Sequence, residues 1–210
     1  MHRTLPIATF VFISILASAC TPLDIEQESK QVTGERLLAS PPPGWIRVFQ
    51  MNKEKTRFSD FVPQGEDADN WSTRLSIESH ATEDLSVDPI TLLLSEAEQD
   101  EARCNFVQHF NIFSGLENHY ETSVRLFLCG ENAFTGKGEI KLVKAIRAEA
   151  FFYSVRITRR LPVFDVNQPE FANDEIATWS TFLKTISVCD GTREHPCTND
   201  GTANDSSHEN

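Results

Sequence analysis

The chain has no apolar run long enough to form a membrane-spanning helix. Its longest apolar stretch covers only 5–16 and includes Pro6, whereas a spanning helix needs about 20 residues. A stretch of this length favours a cleavable targeting segment over a permanent span.

Positive charge is also scarce, because 19 Lys and Arg face 31 Asp and Glu, for a net charge of −12. Acidic residues dominate 59–101, and the bases gather in 102–160 without forming a cluster. A nucleic-acid-binding protein needs a basic surface to neutralise phosphates. The composition therefore argues against nucleic acid as a partner.

The familiar catalytic motifs are missing from the sequence. There is no Gly-x-Ser-x-Gly, no phosphate-binding glycine loop, no dinucleotide fingerprint and no His-Glu-x-x-His. His109 and His119 flank a predicted turn between two strands, and Glu117 and Glu121 lie near His119 in sequence. Neighbours along a strand point to opposite faces, so this grouping predicts neither catalysis nor a metal site. We expect a protein that is not an enzyme and has no cofactor.

The N-terminal segment ends in small residues before a cysteine, Ala17-Ser18-Ala19-Cys20, after a basic start at Arg3. This pattern resembles the lipobox of bacterial lipoproteins, although Ala17 stands where that family most often has leucine. The resemblance implies cleavage before Cys20 and lipidation (palmitate included) of Cys20. Since Thr21 and not aspartate follows, it also implies the outer membrane, with the domain facing the periplasm. The alternative is an ordinary secretory signal cut near the same place.

The four cysteines that remain after Cys20 predict two disulfides, because exported cysteines in even number are usually oxidised. Three pairings are possible. We favour Cys104 with Cys129 and Cys189 with Cys197. A zinc site is the weaker alternative, since no Cys-x-x-Cys pair exists.

Alternation and helical stripes predict the element order βββ-α-ββββ-α. Asp88-Pro89 is typical of a helix start, and strands in runs with few helices indicate an α+β fold. We predict an antiparallel sheet of six to seven strands with two helices packed on one face. The predicted segments are a signal peptide at 1–19, a lipidated tether at 20–43, a globular domain at 44–190 and a disordered polar tail at 191–210.

Two resemblances accompany this order. The segment around Phe61–Gly65 and Asn70-Trp71, followed by a strand and a helix, looks like proteobacterial envelope proteins of uncharacterised function. The element order over about 45–188 is similar to the PsbP/Mog1-type fold. This second resemblance is one of architecture and implies no function.

Four arginines on the later strands form the candidate contact for an anionic partner. Arg156 and Arg160 share one strand face by alternation, and neighbouring strands carry Arg125 and Arg147. Such a row could contact a lipid headgroup, a cell-wall acid or an acidic protein surface. The simpler alternative is a solvated face whose charges pair with nearby glutamates.

Together these patterns predict a non-enzymatic outer-membrane lipoprotein that binds a protein or a cell-envelope component. One alternative is a small-ligand or lipid carrier with a pocket between sheet and helices. The other is an envelope hydrolase whose site follows no familiar motif.

Overall fold

The computed structural model describes residues 34–84, 87–169 and 173–191. Within these ranges lie two helices and nine strands. The helices are α1 (Pro89–Arg103) and α2 (Asn173–Thr185). The strands are β1 (Glu35–Leu38), β2 (Trp45–Lys53), β3 (Thr56–Pro63), β4 (Thr73–Ala81), β5 (Cys104–Glu117), β6 (Tyr120–Asn132), β7 (Lys137–Arg147), β8 (Phe151–Leu161) and β9 (Ser187–Asp190).

Seven strands form one antiparallel sheet in the order β2-β3-β4-β8-β7-β6-β5, and β1 pairs with β9 in a separate two-stranded sheet. The predicted α+β class, the antiparallel sheet, its strand number and both helices are confirmed. The short strands β1 and β9 were not predicted, since four residues carry too little alternation to be recognised.

The two helices pack on opposite faces of the sheet, so the predicted placement of both on one face was wrong. Leu93 and Ala97 of α1 pack against Phe127, Val143 and Phe152. We call this side of the sheet the α1 face. On the other side, the α2 face, α2 covers the alternate side chains of the same strands. Their shared core includes Leu126, Leu142, Val155, Trp179, Leu183 and Ile186.

The helices cover opposite faces because the central strands are apolar on both sides. In β7, Ile140 and Leu142 point to the α2 face, whereas Val143 and Ala145 point to the α1 face. A sheet with two apolar faces must be covered twice.

Helix α1 begins where the sequence predicts. The Asp88 carboxylate accepts hydrogen bonds from the Ile90 and Thr91 amides at 2.8 and 2.9 Å, and Pro89 occupies the first helical position. These bonds lower the pKa of Asp88. Of the helices in the described ranges, none is long and apolar enough to cross a membrane.

Strand β1 is held by a carboxylate as well as by β9. Glu35 accepts hydrogen bonds from the amides of Glu149, Ala150 and Phe151 in the β7–β8 turn, at 2.6, 3.1 and 3.0 Å. The Tyr153 hydroxyl donates to the same carboxylate at 3.4 Å. Burial and this negative charge raise the pKa of Tyr153.

Candidate functional site

The four candidate arginines all lie on the α1 face. The register pairs Arg125 with Val143 and Val143 with Arg156, which places these side chains on one side. Arg147 and Arg160 follow at even spacing on β7 and β8 and point the same way. Helix α1 covers part of this face, however, so the four do not form an open row.

Arg156 forms part of a network of ion pairs between the sheet and α1. Its Nη2 lies 2.9 Å from Glu96 Oε1, and Lys141 Nζ lies 3.3 Å from Glu96 and 2.5 Å from Asp100. Burial acts to lower the pKa of Arg156, but the Glu96 carboxylate outweighs it and holds that pKa above its ordinary value. Burial likewise raises the pKa of Glu96, and the two cations overcome it so that the net shift is downward.

Arg125 and Arg147 differ in their surroundings. Arg125 is buried, and its Nη1 lies 2.8 Å from His109 Nδ1. Arg147 is half-buried at the end of β7 and makes no side-chain hydrogen bond or ion pair with the residues that the structure describes. Of these two arginines, only Arg147 has a side chain that makes no hydrogen bond or ion pair with the described residues.

Arg160 stacks on the buried Trp71 ring together with Arg74, with guanidinium carbons 3.8 and 4.3 Å from the ring centroid. Burial lowers the pKa of Arg74, and the nearby positive charges of Arg160 and Arg156 lower it further against the attraction of Asp60. The stacking gives these arginines a packing role. That the arginines contact an anionic partner stays a prediction.

His80 makes the arrangement most similar to a catalytic one in the described part of the chain. Its Nδ1 lies 3.2 Å from Thr56 Oγ1, and its Nε2 lies 2.7 Å from Glu78 Oε1. The groove beside it, of about 240 Å³, is lined by Glu78 and Glu96 and also by Arg103 and Arg156. Thr56 on β3 lies opposite His80 on β4 and does not line this groove, so the Thr56–His80 contact is a cross-strand link between β3 and β4.

Residues 34–84, 87–169 and 173–191 contain no candidate metal site. Within them, no three His, Cys, Asp or Glu side chains are grouped as ligands. His119 lies in the β5–β6 turn with a left-handed backbone, φ 70°.

A mainly apolar groove of about 490 Å³ separates α2 from β5 and β6 on the α2 face. We call it the α2 groove. Ile112, Phe113, Val124 and Leu183 line its apolar wall, and Ser180 and Lys184 lie on its helical side. It opens to solvent, since Ile112 is 48 % exposed. Pockets of this size accept a few side chains or a small apolar ligand.

A fully buried lysine forms the floor of the α2 groove. Lys144 Nζ donates to the carbonyl oxygens of Leu183 and Ile186 at 3.0 and 2.8 Å and forms an ion pair with Glu117. The last carbonyls of a helix lack intrahelical donors, and a cation there also interacts favourably with the helix dipole. Lys144 therefore fixes the end of α2 against the sheet.

Sequence reasoning missed Lys144, because a lysine in a strand usually indicates an exposed position. The available signal was its neighbourhood: Leu142, Val143, Ala145 and Ile146 are apolar around it. A lone charge in an apolar strand predicts a buried group with a dedicated partner.

The disulfide between Cys104 and Cys129 is confirmed, with an S–S distance of 2.17 Å and a Cα–Cα distance of 5.5 Å. It joins the start of β5 to β6. Cys189 is also disulfide-bonded. The predicted partner Cys197 and the predicted lipidation site Cys20 lie outside the described residues.

Comparisons with known proteins give a fold-level likeness. No protein-family model matches the chain, and no curated protein sequence matches it. Among solved structures, a single-site mutant of the protein Mog1 is similar with 11 % identity and a TM-score of 0.36, covering 71 % of this chain and 85 % of that one. The Ran-binding protein Mog1p of Saccharomyces cerevisiae is similar with the same identity and TM-score, covering 72 % and 85 %. The chain thus has a weak similarity to the Mog1-type fold, and a likeness of this size carries no argument about its function.

Proposed function

We propose that this protein is a non-enzymatic lipoprotein of the outer membrane whose domain binds a protein partner through the α2 groove. The observation that supports the proposal is the α2 groove, a mainly apolar cavity of about 490 Å³ whose wall includes the exposed Ile112. Large apolar surfaces left open to water are typical of interaction sites. The lipobox resemblance at Cys20 supports the anchored location.

Lys184 suggests an acidic group on the partner. It lies on the rim of the groove, and it makes no ion pair with the residues of the described ranges. An apolar anchor beside a carboxylate would match the apolar wall of the groove and this rim together.

The anchor is tested by Cys20→Ser, since serine cannot form the thioether to lipid. We expect the variant to move from the membrane fraction to the soluble fraction of the envelope, whereas the native chain stays with the membranes. Equal membrane partition of both chains would contradict the anchor.

The groove is tested with a photo-crosslinking residue at Lys184 in intact cells. We expect a discrete covalent adduct with one other envelope protein, and we expect Ser180→Trp, which fills the groove, to abolish it. The matched control places the crosslinker at Phe49, an exposed aromatic on the far edge of the sheet. An adduct that survives Ser180→Trp, or that forms equally from position 49, would contradict groove binding.

A small-ligand or lipid carrier is the second candidate, because the same groove could hold an acyl chain. The purified chain would then release a stoichiometric apolar ligand on organic extraction, and Ser180→Trp would lose it. A chain that forms the protein adduct and carries no ligand supports the partner-binding function instead.

A further inference from the structure

Among the described strands, β5 lies at one edge of the seven-stranded sheet and lacks the charges and prolines that usually protect an edge. Its residues 104–116 include no Lys, Arg, Asp, Glu or Pro. The opposite edge, β2, carries Arg47 and Lys53 and follows Pro41–Pro43. Natural sheets block exposed edges with charges and prolines, so the two edges of this sheet differ in their readiness to accept another strand.

The uncharged edge also exposes large apolar side chains. Phe106, Phe110, Ile112 and Leu116 are 75, 46, 48 and 68 % exposed. Phe106 adopts a left-handed backbone conformation at φ 64°, which is costly for an aromatic residue. An apolar row along an unpaired edge needs a covering partner to be removed from water.

The bulge in β5 determines which side chains share a face. Asn111 pairs with Arg125, and Phe113 pairs with Val124, so Ile112 is the extra residue. Phe110 and Phe113 therefore both point to the α2 face, whereas Val107, His109, Asn111, Ser114 and Leu116 point to the α1 face.

We propose that a second copy of this chain pairs antiparallel along β5, with the two-fold axis at Asn111. With the bulge counted, Phe110 then lies opposite Phe113 of the second copy on the α2 face. On the α1 face, Val107 lies opposite Leu116 and His109 opposite Ser114 of the second copy. Phe110 thus meets Phe113 and Val107 meets Leu116, whereas Gln108 lies opposite Gly115 and Phe106 opposite Glu117. Opposite residues share a face, as an antiparallel ladder requires.

Neighbouring registers match less well. An axis at Phe110 places Gln108 opposite Phe113 and Val107 opposite Ser114. An axis at Phe113 places Phe110 opposite Gly115 and His109 opposite Leu116. Register in a sheet follows the apolar pattern, so Asn111 is the favoured axis.

The assembly would close as a dimer. Pairing of β5 with itself is isologous and uses that edge completely, and the other edge of the seven-stranded sheet is the charged strand β2. No Lys, Arg, Asp or Glu side chain of 104–116 would face the second copy.

This inference goes beyond the proposed function, because the pairing edge is the outer side of β5 and the α2 groove is its inner neighbour. Ile112 belongs to both. In the dimer, Phe110 of the second copy would lie next to Ile112 and extend the apolar wall of the groove.

The test is a cysteine at the axis in the full chain, in its native membranes. Opposite residues of an antiparallel pair lie about 4.5–5.5 Å apart between Cα atoms, within the range that a disulfide spans. We expect Asn111→Cys to give a disulfide-linked dimer on mild oxidation, seen on a non-reducing gel. The control Gln50→Cys, exposed on the other edge strand, should stay monomeric.

A second substitution separates specific pairing from random collision. Phe110→Lys in the Asn111→Cys chain introduces like charges beside the axis, and we expect the dimer yield to fall at least about tenfold. Phe49→Lys in the same background should leave it unchanged. No dimer from Asn111→Cys, an equal yield from Gln50→Cys, or a yield insensitive to Phe110→Lys would overturn the proposal. Ser180→Trp should leave the dimer intact, so failure of groove binding is recognised separately.

Discussion

Lys144 shows how one side chain can hold an element in place. Its ammonium group is removed from water, yet two helix carbonyls and the Glu117 carboxylate satisfy all three of its hydrogens. A buried cation without such partners would cost several kcal/mol. The position of the end of α2, and with it one wall of the groove, therefore depends on this contact.

We expect Lys144→Ala to lower the free energy of unfolding by about 3–5 kcal/mol, because it removes the shared donor of two carbonyls and the ion-pair partner of Glu117 and leaves a cavity. Lys144→Met, which keeps the apolar stem, should be destabilised less but clearly. Urea denaturation followed by circular dichroism measures both. Lys53→Ala on the exposed edge is the control and should change stability by about 0.5 kcal/mol or less. A Lys144→Met chain as stable as the native one would refute this role.

The candidate arginines show where sequence reasoning stops. Alternation correctly places Arg156 and Arg160 on one face, because side-chain direction in a strand is local. It does not show that Glu96, distant in sequence, lies over Arg156. Whether an arginine is exposed depends on which element packs above the sheet. The local sign that a helix covers each face was the presence of apolar residues on both sides of β6 and β7. The α1 start was predictable, since Asp88 and Pro89 act within one turn.

Strand β5 is fixed to the sheet at its start by the Cys104–Cys129 disulfide and along its length by pairing with β6, its single neighbour among the described strands. An edge strand has half the ladder hydrogen bonds of a central one, so it opens more easily. The disulfide lies where α1 ends and β5 begins, and it therefore ties the helix to the sheet edge as well.

Removing the bridge with Cys104→Ser and Cys129→Ser should lower the free energy of unfolding by about 2–5 kcal/mol, since the bond closes a 25-residue separation. We expect hydrogen exchange of the β5 amides to quicken more than that of β8, which is paired on both sides. Exchange followed by mass spectrometry measures this difference. Uniform acceleration in all strands would mean that the bridge acts only on the unfolded chain.

At the scale of the described domain, the seven-stranded sheet lies between two helices, with charged groups buried on both faces. Glu96 and Asp100 of α1 contact Lys141 and the half-buried Arg156 of the sheet, and Lys144 lies under α2. The fold class followed from the order of elements, whereas these inter-layer contacts join residues far apart in the chain and leave no periodic trace.

Acid should destabilise the molecule through Glu96. Its pKa is lower in the folded chain than in the unfolded one, so its stabilising contribution is complete above the ordinary carboxyl pKa and is lost as the pH falls through the lowered value. Glu96→Gln should therefore be less stable than the native chain at pH 7 and lose less stability between pH 7 and pH 3. Urea midpoints at several pH values measure this. Glu98→Gln, on the exposed side of α1, is the control. Parallel pH profiles for the native and Glu96→Gln chains would contradict the assignment.

The strand order β2-β3-β4-β8-β7-β6-β5 has a kinetic consequence. β2-β3-β4 and β5-β6-β7-β8 are each a meander of consecutive strands, so each can form from neighbours in sequence. In the described part of the chain, the β4–β8 ladder, from Thr73 with Arg159 to Ala81 with Phe151, is the strand pairing that joins the two. Helix α1 and three strands lie between β4 and β8 in the sequence. Closing the long loop between β4 and β8 costs more chain entropy than pairing neighbouring strands, and it slows folding. The two meanders would thus act as separate folding units, and their meeting along the β4–β8 seam would set the rate at which the whole chain folds.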